Sequence, residues 1–298
     1  MKPPTSLITG GSGYLASRLV SLIDGDVHVL AGTSSDLSHL PPTSATIHRA
    51  DGSVDALIEI IEAVKPDRIF HLATHYLRHD DPARAHAMVE ANIAFGTNVL
   101  SALVTSGLGM SCVFVFAGTY FEYYSERAAL NLYAATKRAF DTIVGYFSDA
   151  YGLRAAKVVM YDIYGPKDPR SKLVGVAVRS ALEGSTLRVL AEPPDLDLVY
   201  ADDAGRALIA AAETAGEAGP GFSEVYAASS GRLTSLDSLV EAVGSATHAD
   251  LMIDRGAFPA PDRFMSDYIR LPPPPGWVPV VTLEDGIAAT VEEMRNEV

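Results

Sequence analysis

Of the thirteen tyrosines in the chain, only Tyr133 has a lysine four residues further on. In a helix that spacing sets the phenol of Tyr133 and the ammonium of Lys137 on one face. A free phenol titrates at about 10 and is a poor acid–base group at neutral pH; a neighbouring ammonium stabilises its phenolate and brings it toward working pH. Such a pair can give a proton to a ketone oxygen as hydride reaches the carbon, and a hydroxyl donor to the same oxygen assists. Thr119, just beyond the apolar run Cys112-Val113-Phe114-Val115-Phe116, is the residue placed to be that donor. The other reading of the spacing is an amphipathic helix with an exposed lysine.

A second constellation supplies the reductant's place. The segment Thr9-Gly10-Gly11-Ser12-Gly13-Tyr14-Leu15-Ala16 follows a short apolar run and opens a helical pattern, the context that a dinucleotide fingerprint requires. Gly10 allows the tight turn, Gly13 lets backbone amides approach a pyrophosphate, and the helix start favours its negative charge. Ala16 takes the third glycine position. An acid after the second strand would hold a ribose 2'-hydroxyl and exclude a 2'-phosphate. Here the chain reads Leu30-Ala31-Gly32-Thr33-Ser34-Ser35, with three hydroxyls and no carboxylate. NADP(H) is therefore expected, with Thr33, Ser34 and Ser35 at its phosphate; the other reading of these residues is a polar turn. Asp51 is placed to accept from the adenine amino group, or else to cap the helix from Val54.

These residues need a scaffold, and the periodicity describes one. Strand-like runs at Leu7-Ile8, Val27 to Ala31, Arg68 to Leu72, Cys112 to Phe116 and Ala156 to Met160 alternate with helical stretches. The helices are expected at Leu15 to Ile23, Val54 to Val64, Arg84 to Thr105 and Leu132 to Tyr151. Alternation of this kind implies an α/β, doubly wound parallel sheet of the Rossmann type. Regularity falls after about Tyr161. The expected division is a cofactor domain at 1–160 and a smaller, mostly substrate-binding region at 161–298, with a segment at about 195–215 returning to the first.

Composition narrows the class. With 48% hydrophobic and 20% charged residues the chain is that of a folded enzyme, and a net charge of −14 repels nucleic acid and anionic lipid. The lone Cys112 lies in an apolar run and is expected to be inert core. The N-terminus lacks a leader pattern and no segment approaches ~18 uninterrupted apolar residues. A soluble, cytoplasmic protein that binds neither membrane nor nucleic acid is expected.

The motifs resemble the extended short-chain dehydrogenase/reductase family, and in family order: the glycine segment from Thr9, His71-Leu72-Ala73-Thr74, Asn92-Ile93-Ala94-Phe95-Gly96-Thr97, Tyr133 to Lys137, Tyr164-Gly165-Pro166 and Val199-Tyr200-Ala201-Asp202-Asp203. Ala117-Gly118-Thr119 and Asn131 to Phe140 are most similar to abequose and paratose synthases. That resemblance implies NADPH-dependent reduction of the 4-ketone of a nucleotide-linked 4-keto-6-deoxyhexose, as in antibiotic or polysaccharide biosynthesis. It implies cofactor contacts from Ser12, Tyr14, Leu15, Leu72, Ala73 and Thr74, and a homodimer built on the helices at 84–105 and 132–151.

Dehydratases of the family follow their threonine with Asp-Glu, carboxylates that remove a proton and expel water; Tyr120-Phe121 stand here, which disfavours elimination. Epimerases hold NAD through the acid that is missing after the second strand. Reduction is what remains. For the substrate, Asp162 replaces the asparagine usual in sugar epimerases, and Arg263 is the late arginine placed for a diphosphate. Phe121, Tyr123, Tyr124, Met160 and Tyr161 are expected beside the catalytic strand ends, where they would suit an aromatic polyketide or other secondary-metabolite ketone, or else serve as packing. A non-catalytic NADP-sensing protein is a third possibility. His71, His75 and His79 have the spacing of a helical metal site, but a strand end and a loop interrupt it, so no metal is expected.

Overall fold

The computed structural model describes residues 3–77, 81–265 and 268–296, and in it the apolar runs become strands separated by helices. In chain order these are β1 (Thr5–Thr9), α1 (Tyr14–Val20), β2 (Asp26–Gly32), β3 (Thr46–Ala50), α2 (Val54–Val64), β4 (Arg68–His71), α3 (Ala85–Val89), α4 (Phe95–Thr105), β5 (Val113–Thr119), α5 (Leu132–Tyr151) and β6 (Arg154–Met160). There follow β7 (Asp162–Tyr164), α6 (Leu173–Glu183), β8 (Leu187–Leu190), β9 (Leu198–Tyr200), α7 (Ala201–Glu217), β10 (Ser223–Ala228), α8 (Leu236–Thr247), β11 (Ile253–Phe258) and α9 (Leu283–Asn296).

Seven strands form one sheet in the order β10-β6-β5-β4-β1-β2-β3. From β6 to β3 every neighbouring pair is parallel. This is the expected doubly wound α/β sheet, and β1 and β5 are buried along their whole lengths or nearly so, as strands covered on both faces must be. The expected helix at Val54 to Val64 is α2 and that at Leu132 to Tyr151 is α5, both with the expected ends. Local chemistry explains the bounds of α5. The Asn131 side chain accepts from the Ala134 amide at 2.9 Å at one end, and Gly152 takes a left-handed conformation, φ 67°, at the other.

The expected single helix from Arg84 to Thr105 is instead three pieces: α3, a π-helical turn at Glu90–Ala94, and α4. The interruption aims Asn92 inward, where it is 1% exposed, in keeping with the frequent use of π-turns at functional sites. The stretch Pro82–Thr105 is long and apolar enough to cross a membrane by length and composition; in this fold it lays Met88, Val99, Leu100, Ala102 and Leu103 into the interior.

Among the described residues the chain forms two bodies, one from Met1–Met160, Gly205–Ala227 and Ile269–Trp277, the other from Tyr161–Ala204, Ala228–Tyr268 and Val278–Val298. The return to the first body thus starts at Gly205 rather than near 195, and 269–277 return as well. Gly205 belongs there because its surface is filled by Leu22: a Cβ at Gly205 would lie 2.5 Å from Leu22 Cδ1. The second body packs α6, α8 and α9 around Leu239, Val243, Ile287 and Val178, with β7 on β9 and β8 on β11. Within it, the buried Asp203 of the Val-Tyr-Ala-Asp-Asp segment accepts from the amides of Val280 and Val281 at 3.1 and 2.9 Å, fastening the chain that leads into α9.

In the first body α5 rests on an aromatic layer. Phe140 is 1% exposed and its ring meets His71 at 5.1 Å and, edge-on, Phe116 at 5.6 Å. Truncating it would open a cavity beneath the helix that carries Tyr133 and Lys137. Phe140→Ala is expected to cost about 3 to 5 kcal/mol of stability, read from the denaturant midpoint at unchanged slope.

Candidate functional site

Along the sheet the chain winds outward from β1 in one direction through β2 and β3, then returns beside β1 and winds the other way through β4, β5 and β6. A crevice opens at the carboxyl ends of the strands where the direction reverses. In this protein it is a cleft of about 240 Å³ whose walls are Gly10, Gly11 and Ser12 after β1, Leu30 to Gly32 and Ser35 after β2, Ala50 to Gly52 after β3, Ala73 and Thr74 after β4, and Ala91 and Phe95 from the broken helix.

Backbone approaches backbone at its floor. Gly10 has φ +76°, and a Cβ there would lie 2.5 Å from the Ala73 nitrogen; one at Gly11 would lie 2.2 Å from Val29 Cγ1. Thr9 ties the two central strands together, its Oγ1 accepting from the Ala73 amide at 3.4 Å and lying 2.9 Å from His71 Nδ1. The Gly13 amide donates to the Gly10 carbonyl at 2.9 Å and so closes the turn. Gly13 is also the N-cap of α1 and offers it no capping side chain.

Of the residues expected at a cofactor, Gly10, Ser12, Ser35, Asp51, Ala73 and Thr74 line the cleft. Tyr14 and Leu72 are buried, and Thr33 and Ser34 are exposed on the turn that follows β2. Gly13, Tyr14, Leu15, Thr33, Ser34, Leu72, Tyr133 and Lys137 are outside the lining. Asp51 lies in the cleft wall while its Oδ1 accepts from the Ser53 amide at 2.9 Å, a bond that holds its carboxyl below the ordinary range. Ser53, not Asp51, caps α2.

The turn after β2 has a partner that the local sequence does not show. Arg49, exposed on β3, sends one guanidinium nitrogen to the carbonyls of Gly32, Thr33 and Ser35 at 3.1, 3.2 and 3.0 Å. The parallel register pairs Ala31 with Arg49, which brings a cation from 14 or more residues away to the place where the sequence has no arginine.

Thr119 closes β5 and begins the 3-10 turn Tyr120–Tyr123, its Oγ1 accepting from the Phe121 amide at 3.4 Å. A hydroxyl that accepts in this way keeps its proton for donation. Lys137 is 4% exposed, and its Nζ lies 5.9 Å from the Tyr133 ring centroid. Burial lowers the Lys137 ammonium to about 8, with Glu122 opposing that and Lys157 adding to it. Tyr133 is half-buried and meets the ring of Tyr76 edge-on at 5.0 Å.

In the sequence Asn92 is one letter of a motif; in the fold it is a junction. It accepts from Thr74 Oγ1 at 3.1 Å and the His75 amide at 2.6 Å, and donates to the His75 carbonyl at 3.0 Å and to Thr136 Oγ1 at 2.9 Å. It thereby locks the loop after β4 to the helix of Tyr133 and Lys137.

The residues expected at the substrate are divided between the bodies. In the first, the Phe121 ring lies tilted against that of Tyr120 with centroids 4.3 Å apart, and Tyr123 is half-buried with the Lys157 ammonium 5.7 Å from its ring centroid, so both rings already have packing roles. In the second, Tyr161 is 4% exposed and stacks on Tyr268 at 5.7 Å. Asp162 accepts from the Tyr268 hydroxyl at 3.2 Å and lies 3.9 Å from the Lys172 ammonium; Arg263 is exposed. Among the described residues no three His, Cys, Asp or Glu side chains are grouped to hold a metal. His71 is enclosed by aromatic rings, and burial drops it to about 3, so it stays neutral; His79 lies outside the described residues. The Cys112 thiol is buried and pushed well up by that burial.

Residues 6–225 match the NAD dependent epimerase/dehydratase family. The chain is 30% identical over 320 residues to a UDP-glucose 4-epimerase of Mycolicibacterium smegmatis, covering 98% of this chain and 99% of that one. It is 24% identical over 210 residues to CDP-abequose synthase of Yersinia pseudotuberculosis, covering 68% and 71%. In fold it is similar to a UDP-glucose 4-epimerase of Thermotoga maritima solved with UDP-glucose: TM-score 0.83, 22% identity, 98% and 99% of the two chains.

The Lys137 ammonium is present below about 8 and lost above it. Turnover that depends on it is expected to fall along an alkaline limb near that pH. Lys137→Arg, whose guanidinium keeps its proton, is expected to move the limb upward in a kcat–pH profile.

Proposed function

The chain belongs to the NAD dependent epimerase/dehydratase family of extended short-chain dehydrogenases/reductases, and on that premise we propose that it is an NADPH-dependent ketoreductase. Its substrate in this reading is a nucleotide-linked 4-keto-6-deoxysugar, whose 4-ketone becomes a secondary alcohol. The observation that carries the reading is the commitment of the carboxylate nearest Thr119. Glu122 is 2% exposed, with one oxygen on the Thr119 amide at 2.7 Å and the other on Lys157 at 2.6 Å. A carboxylate so engaged is not available to remove a proton or expel water, and Tyr120-Phe121 supply none. Elimination lacks its base, whereas proton delivery to a ketone has Tyr133 with Lys137 behind it. The likeness to CDP-abequose synthase supports the sugar-nucleotide substrate.

The cleft's floor at Gly10 and Gly11 is bare backbone packed so closely that a Cβ at either would run into Ala73 or Val29, and bare backbone is what a diphosphate approaches, which supports a dinucleotide there. Gly10, Ser12, Asp51, Ala73 and Thr74 would hold the cofactor. Thr33, Ser34, Ser35 and Arg49 would hold a 2'-phosphate, and that cation together with the missing acid supports NADPH over NADH. When bound, the nicotinamide supplies a hydride to the carbonyl carbon. Tyr133 gives its proton to the ketone oxygen, Lys137 steadies the negative charge left on the phenol, and Thr119 donates to the same oxygen.

Three outcomes are expected. Purified protein oxidises NADPH with a nucleotide-linked 4-keto-6-deoxyhexose; silence with every member of a panel of such sugars overturns the reading. Tyr133→Phe lowers kcat by about 10²- to 10⁴-fold while leaving the NADPH dissociation constant unchanged. Arg49→Ser weakens NADPH by about tenfold or more beyond whatever the loosened turn costs NADH, the scale of one lost charge-assisted hydrogen bond, so the ratio of the two dissociation constants is the readout.

A further inference from the structure

Lys157 is a cation inside the sheet, 2% exposed on β6. It donates to Glu122 Oε2 at 2.6 Å and to Asp141 Oδ2 at 2.9 Å. Glu122 Oε1 in turn accepts the Thr119 amide at 2.7 Å. Asp141 follows Lys137 by four residues and Tyr133 by eight, so all three share one face of α5. An unbroken path of hydrogen bonds therefore runs from Thr119, through Glu122 and Lys157, to the helix face of the other two reacting side chains. The bridge needs Gly118 beside it: a Cβ there would lie 2.5 Å from Lys157 Cε and 2.9 Å from Glu122 Oε1.

Burying ions is costly, and well-packed apolar residues in the same volume often give equal or greater stability. What an apolar replacement cannot do is set two separate elements at one spacing through short, directed bonds. β5 and α5 are such elements, since Thr119 ends one and Tyr133 and Lys137 lie on the other.

We propose that Glu122, Lys157 and Asp141 are positioning residues for the reduction, a buried bridge that holds the Thr119 end of β5 in register with the Tyr133–Lys137 face of α5. The proposal rests on the roles given above to Thr119, Tyr133 and Lys137. Its charges act on the same face. Burial alone would depress the Lys157 ammonium, and Glu122 and Asp141 more than reverse that, so it stays protonated. The titratable groups facing Lys137 are Glu122 after β5, Lys157 on β6, the neutral His71 at the end of β4, and Tyr133 on its own helix. Among them Glu122 favours the Lys137 ammonium and Lys157 opposes it.

The test uses the full chain with Glu122→Gln and Asp141→Asn. Glu122→Gln keeps a carbonyl oxygen for the Thr119 amide and removes the charge; Asp141 is partly exposed, 35% at its side chain, so Asp141→Asn keeps the fold. In both, kcat is expected to fall about tenfold or more, with KM for the ketone and the NADPH dissociation constant within about twofold. In Glu122→Gln alone the alkaline limb is expected to move down by about half a pH unit or more. Folded variants with unchanged kcat and an unchanged pH profile would overturn the proposal, as would lowered melting temperature as the sole effect. If the wild-type protein reduces no ketone, the proposed reaction fails, and the bridge is then read by NMR titration of the labelled Lys137 side chain. A lower midpoint in Glu122→Gln supports it, and an unmoved midpoint sinks it.

Discussion

Gly10 and Ala73 come so close that no side-chain atom fits between them, a Cβ at Gly10 reaching 2.5 Å from the Ala73 nitrogen. That approach is where β1 and β4 lie side by side and the chain reverses its direction of winding across the sheet. The rest of the site follows from it. Because the two strands run parallel and their following loops leave in opposite directions, their carboxyl ends must part and leave a crevice floored by backbone. Thr9 keeps the crevice narrow by engaging both Ala73 and His71 from β1. A bulkier residue at Gly10 would force the strands apart and strain a left-handed turn at once.

Two buried polar junctions then transmit that geometry to the face of α5 that carries Tyr133 and Lys137. Asn92, brought inward by a π-turn, spends both ends of its amide on the loop after β4 and on Thr136 of α5. Glu122 and Lys157 join the end of β5 to Asp141 of the same helix. Each is hydrogen-bonded at both ends, as buried polar groups must be if they are not to cost stability. Helix α5 is thus fixed from two sides, over an aromatic layer of Phe140, His71 and Phe116. The consequence is chemical: an ammonium and a phenol in a half-dry setting, with Lys137 brought near neutral titration by burial.

Much of this is legible in the residues alone. The glycine loop, the helices at 54–64 and 132–151, the parallel winding and the Tyr133–Lys137 spacing are all local patterns, and local patterns are set by residue period and turn chemistry. Legibility falls where one residue has two uses. Thr33 to Ser35 read as a polar turn, and Arg49 on another strand is what the turn's carbonyls engage. Asp51 suits either adenine or a helix cap, and it faces the cleft while Ser53 takes the cap. The stretch at 84–105 reads as one continuous helix because the π-turn at Glu90–Ala94 contains no glycine or proline to mark it.

The elements, their order and the chemistry that one helix face can carry are properties of the primary structure, since all of these depend on residues within a few positions of each other. Which distant residues meet is a property of the folded chain alone. Arg49 reaches the turn after β2 through the parallel register of β2 and β3. Lys157 reaches Glu122 across 35 positions because β6 lies beside β5, and Asn92 reaches Thr136 across 44. No spacing rule links such pairs, because strand register and the packing of helix on sheet are set by the whole apolar interior rather than by any one segment.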